Sequence, residues 1–124
     1  MLIDDFYHIT ELKKTEDTIQ AEIRLNPDHA LYKGHFPQQA VVPGVMQIQI
    51  VKEILVAELK QELLIREVMV AKYFRPITPK ENLVLHINIA YKLSETSDYM
   101  IDASIVKADN TFAKIKAKLS LAVK

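Results

Sequence analysis

From Val45 to Leu59 the chain carries apolar residues at Val45, Met46, Ile48, Ile50, Val51, Ile54, Leu55, Val56, Ala57 and Leu59. At about 100° per residue they point in nearly every direction around a helix rather than along one stripe. A helix of that kind must be buried on most of its sides, so the rest of the chain has to wrap it. Pro43 fits its first turn, where a fixed φ helps and a missing N–H loses nothing. The helix is expected to run to Lys60 or Leu63, with its C-terminal half surfacing because charge gathers from Lys52 onward. A chain of 124 residues, 49% hydrophobic, can build one such core in a single domain spanning 1–124.

The wrapping is read from alternation. Ile19, Ala21, Ile23 and Leu25 alternate with Gln20, Glu22 and Arg24, the period of a half-buried strand that Asn26-Pro27-Asp28 should end. Residues 28–42 read as a long ordered loop, anchored by Leu31, Tyr32 and Phe36. After the helix, Val68, Val70, Tyr73 and Phe74 precede Arg75-Pro76-Ile77-Thr78-Pro79, whose prolines suggest a bend or a sheet edge. Three alternating runs follow: Leu83 to Lys92, Tyr99 to Ile105, and Ala113 to Val123. Turn signals at Ser94–Asp98 and Asp109-Asn110 make the connections antiparallel hairpins. Residues 1–14 show no clean period, although Phe6-Tyr7-His8-Ile9 has strand-like composition. The pattern is α+β, an antiparallel sheet packed on one long helix.

Composition narrows the function. Sixteen basic and sixteen acidic residues leave no general field for nucleic acid or an anionic membrane. With no cysteine, disulfides, thiolate metal sites and a cysteine nucleophile are excluded. Neither a leader-like start nor a run of roughly 18 apolar residues is present, so no membrane insertion is expected and the reading is of a soluble, cytoplasmic protein.

Chemistry is expected in the segment before the helix. Both glycines and two prolines fall within residues 34–44, where Gly34-His35-Phe36-Pro37 is followed by Val41-Val42-Pro43-Gly44-Val45. These motifs, with Lys72-Tyr73-Phe74-Arg75-Pro76-Ile77 and Asn82-Leu83, resemble the 3-hydroxyacyl-acyl carrier protein dehydratases of the hotdog fold, over residues 18–122. The resemblance implies a curved antiparallel sheet wrapped around the central helix, and a dimer joined edge to edge with two sites at its interface. It also implies removal of water from a 3-hydroxyacyl thioester on acyl carrier protein or CoA, giving a trans-2-enoyl chain without metal or redox cofactor. A histidine of one subunit and a helix carboxylate of the other would do the acid-base work in fatty acid or polyene synthesis.

Matched residue by residue, the histidine is His35, whose imidazole titrates in the range that suits a base for the C2 proton. Gly44 and Val45 open the helix with free N–H groups that can hold an enolate oxygen. Phe36 and Pro43 complete the candidate substrate-binding set, and Val42, Ile48, Val51 and Phe74 could line an acyl tunnel. Where the pattern expects a carboxylate stands Gln49, which cannot exchange a proton near neutral pH; one turn later, where Gln is common in these dehydratases, stands Glu53. Glu53 shares a helix face with Gln49 and could act as a surrogate acid, yet Lys52 beside it and the charged helix exit favour a surface glutamate. Lys33, Lys72 and Arg75 could receive an acidic carrier protein. A hotdog thioesterase and a non-catalytic acyl-thioester-binding partner subunit stand as alternatives.

Overall fold

The computed structural model describes residues 2–34 and 40–122. In chain order they form β1 (Tyr7–Lys14), β2 (Thr18–Leu25), a one-turn helix α1 (Leu31–Gly34), the long helix α2 (Gly44–Leu59), β3 (Leu63–Tyr73), β4 (Val84–Leu93), β5 (Asp98–Lys107) and β6 (Asn110–Leu121). The strands make one antiparallel sheet in the order β1-β2-β4-β5-β6-β3. This is the α+β hotdog arrangement that the sequence resemblance implies.

The sheet turns its apolar rows toward α2. Ile50, Val51, Ile54 and Leu55 of the helix share one core with Ile23, Ile87, Ile89, Ile101, Ile115 and Leu119. Alanines and isoleucines oppose each other across the inner face: Ala21 with Ile87, Ile89 with Ala103, Ala103 with Ile115, and Ile101 with Ala117. The small residue in each of these pairs leaves the concave face room for the helix. Complete burial of Ile54 and Leu55 contributes roughly 1.5–3 kcal/mol for each side chain.

Several sequence expectations need correction. Residues 1–14 hide β1, whose register slips between Ile9 and Glu11; the extra residue of a bulge moves the alternation to the other face and erases the period. The 28–42 stretch contains α1, which carries buried Tyr32 inward. Helix α2 stops at Leu59, because Lys60 adopts the left-handed conformation, φ 57°, with its N–H on the Val56 carbonyl. Nor does its C-terminal half simply surface: Glu53, Ile54 and Leu55 are its deepest residues, whereas Val45, in the first turn, is 73% exposed. The β5–β6 turn is Ala108-Asp109, one residue earlier than expected, with positive φ at Ala108.

Candidate functional site

Two chain segments meet at the start of α2. The Val42 N–H donates to the Ile77 carbonyl at 2.9 Å, which ties the approach to the helix to the loop after β3. Between them lies a hollow of about 440 Å³, lined by Val41, Val42, Pro43, Gly44, Gln47 and the run Tyr73–Pro76. Pro43 is extended and leads into the helix without a side-chain cap. Among the described residues no acceptor meets the Gly44 and Val45 N–H groups, since the first backbone donors of the helix with a partner are Met46 and Gln47, both on the Pro43 carbonyl. The positive end of the helix dipole therefore opens at the hollow that Gly44 lines.

Gly44 lets Tyr73 lie close over the helix start. A Cβ at this position would lie 2.8 Å from the outer end of the Tyr73 ring, so any larger residue would have to push that ring aside. The Tyr73 hydroxyl donates to the Gly44 carbonyl at 3.1 Å, and partial burial raises its pKa above the ordinary tyrosine value. Sequence reasoning quoted Tyr73 within a motif without giving it a role, and missed Gln47. Gln47 is only 4% exposed. Its Nε2 donates to the Val42 carbonyl at 3.2 Å, while its Oε1 has no partner among the described residues. A polar residue in the first turn of an otherwise apolar helix was the available signal.

Glu53 overturns the surface reading. It is fully buried, and its carboxylate receives four donors. The N–H of Ile3 and the hydroxyl of Tyr7 meet Oε1 at 2.8 and 3.1 Å, and the N–H of Leu2 and Nε2 of Gln49 meet Oε2 at 2.7 and 2.8 Å. A carboxylate so surrounded acts as an acceptor on every side. Burial above all, then the Glu53 charge and the hydrogen bond to it, with a lesser effect of Asp4, push the Tyr7 hydroxyl far above its ordinary pKa. Glu53 and Gln49 thus meet directly, as their i, i+4 spacing allows, and Gln49 stays half-buried on the helix flank.

The remaining candidates separate. His35 and Phe36 lie outside the described residues. Val42 and Phe74 line the hollow, but Ile48 and Val51 face Ile65, Ile101 and Ile115 in the core and do not reach it. Arg75 lines the hollow and donates to Asn110 Oδ1 at 3.1 Å, whereas Lys33 borders a different depression with His29 and Tyr32. The three basic candidates therefore form no single patch at the hollow. No described helix is long and apolar enough to cross a membrane.

Comparison with known proteins places this geometry. The model of the ApeI-like family, described as ApeI dehydratase, matches residues 11–115. The 3-hydroxyacyl-[acyl-carrier-protein] dehydratase FabZ of Thermotoga neapolitana is 26% identical over 117 residues, which are 91% of this chain and 82% of that one. Among solved structures, the dehydratase heterocomplex ApeI:P from Xenorhabdus doucetiae superposes with a TM-score of 0.71 at 22% identity, covering 90% of this chain and 96% of the other. An uncharacterized protein from Erwinia carotovora subsp. atroseptica gives 0.67 at 27% identity, over 95% and 94%. With most of its length matched by that family model and its sheet and helix in the same arrangement, the chain belongs to the ApeI-like dehydratase family of hotdog-fold, 3-hydroxyacyl-thioester dehydratase-like proteins.

Proposed function

We propose that the protein dehydrates a 3-hydroxyacyl thioester carried on acyl carrier protein or CoA, as a cytoplasmic homodimer with one site at each end of the interface. The observation that carries the reading is the start of α2, whose Gly44 and Val45 N–H groups, without an acceptor among the described residues, adjoin the hollow beside Tyr73–Pro76. Donors of that kind stabilise the oxygen of a thioester enolate in a water-poor site. His35 takes the C2 proton, the electron pair forms the C2–C3 double bond, and the C3–O bond breaks. Gln49 of the partner copy holds the hydroxyl through its amide and transfers no proton. The proton that completes the departing water therefore returns from the His35 imidazolium. The step needs neither metal nor redox cofactor.

Incubation with a 3-hydroxyacyl thioester of acyl carrier protein, read by mass for loss of one water, tests the proposal. Turnover by the wild type, abolished in His35→Ala, is the expected result. Absence of turnover in the wild type, together with turnover gained in Gln49→Glu carrying Glu53→Gln, would show that the natural protein is not this enzyme.

One observation favours a second reading. Gln49 stands at the acid position and Glu53 is saturated by donors, which suits a subunit that pairs with a homologue bearing the carboxylate. In that case His35→Ala leaves complex formation intact, and activity appears only when the homologue is present.

A further inference from the structure

We infer that Glu53 is the positioning residue of this site: it draws the amide nitrogen of Gln49 inward and turns the Gln49 carbonyl oxygen toward the ligand. The position then takes a hydrogen bond from a hydroxyl and offers no transferable proton. For the identity of the ligand this rests on the dehydratase reading, which it deepens.

The argument runs from hydrogen-bond capacity. A carboxylate has lone pairs only, so the group of Gln49 that meets Glu53 Oε2 at 2.8 Å is the NH2. The orientation cannot reverse, because an amide oxygen facing Oε2 would set acceptor against acceptor. Oε1 of Gln49 has no partner among the described residues, and the side chain is only half-buried, on the flank of α2 that also carries exposed Val45. A free, oriented acceptor at the place where the family motif puts its acid selects ligands with an O–H at that point. A 3-hydroxyacyl thioester presents one, and the same chain without the hydroxyl does not.

Glu53 is itself fixed by the N-terminal segment, since Leu2, Ile3 and Tyr7 donate to it across some 50 residues of sequence. A glutamine at position 53 would turn its own NH2 against one or more of those donors. The two positions are therefore coupled. Gln49→Glu alone brings two carboxyl groups within hydrogen-bond distance, a pair in which one must hold a proton. Exchanging both residues keeps one amide and one carboxylate in contact.

The test uses the full-length protein and two probes, the N-acetylcysteamine thioesters of 3-hydroxybutyrate and butyrate. Their affinities are measured by calorimetric titration, while NMR follows hydrogen exchange of the Gln49 side-chain amide. In the wild type the Gln49 amide is expected to be protected, and the 3-hydroxy probe to bind roughly threefold to tenfold tighter, the worth of one net hydrogen bond. Glu53→Gln should release the amide and remove the preference while butyrate thioester binding holds. In a Gln49→Leu background the same change should have no further effect on the preference. If Glu53→Gln does not fold, Glu53→Asp serves instead, since it keeps a carboxylate for the N-terminal donors while its shorter side chain draws back from Gln49. A released Gln49 amide with loss of the hydroxyl preference then supports the positioning role, and an unchanged preference overturns it. A freely exchanging Gln49 amide in the wild type, or a Glu53→Gln variant that keeps the hydroxyl preference, overturns the positioning role. Protection of the amide with no binding of either thioester overturns the dehydratase reading and the ligand assignment, leaving the Glu53–Gln49 contact itself supported.

Discussion

Burying a carboxylate costs several kcal/mol unless donors replace the lost water, and at Glu53, which has no cationic partner among the described residues, two backbone N–H groups, a phenol and an amide do so. Tyr7 is the donor most simply removed. Tyr7→Phe should destabilise the fold by about 1–3 kcal/mol at neutral pH, the cost of losing a hydrogen bond to a charged group, measured by urea unfolding. The same variant tests an alkaline effect. The Tyr7 pKa is raised in the folded state, chiefly by burial, so below the ordinary value of 10.0 both folded and unfolded chains hold the proton and Tyr7 adds no pH dependence. Above it the unfolded chain releases the proton and the folded one keeps it, so stability falls, by about 1.4 kcal/mol per pH unit per tyrosine. Tyr32, also raised by burial, adds the same slope, Tyr73, raised by partial burial, contributes as well, and Tyr7→Phe should remove the Tyr7 share alone. None of this was legible around Glu53 itself: Lys52 and the charges near it described a surface, and the donors that bury it come from the other end of the chain.

Elements were legible where alternation ran unbroken. The periods of β2 and β4 run unbroken between two neighbours, and those of β5 and β6 hold from Tyr99 to Ile105 and from Ala113 onward because the register break they share, between Ile105 and Val106, lies beside their turn. The outer strands β1 and β3 both carry register breaks, and a bulge removes the pattern that would announce them. The all-round apolar character of α2 foretold a central helix, yet not its end, since no glycine marks it. Lys60 stands in the left-handed conformation that glycine occupies without strain. Lys60→Gly should therefore stabilise the protein by roughly 1 kcal/mol, seen as a rise in Tm of about 3–5 °C. An unchanged or lower Tm would mean that the lysine side chain contributes more than its backbone strain costs.

At the scale of the whole molecule the sheet has two free edges, and they differ. Strand β3, at one end of the order, exposes Leu64, Val68, Met69 and Tyr73, with Phe74 just beyond it. Edge strands of monomers are protected by charge, proline or cover, and among these residues only Arg66, Glu67 and Lys72 supply charge. Exposed Val45 and half-buried Gln49 add the uncovered flank of α2. The fold and the central helix could be read from the pattern of one sequence, whereas a site shared between copies entered only through the family resemblance, because alternation and periodicity within one chain carry no sign of a contact with its copy. The proposed homodimer sets β3 against its own copy, an isologous contact in which any substitution enters twice. Val68→Asp then brings two carboxylates to the same seam and should shift the protein to monomer in analytical ultracentrifugation, with its far-UV circular dichroism unchanged. Because His35 and Gln49 come from different copies in the proposed site, dehydration should fall with the dimer fraction, and raising the protein concentration should restore both together. A monomeric Val68→Asp with full turnover would place the whole site within one chain.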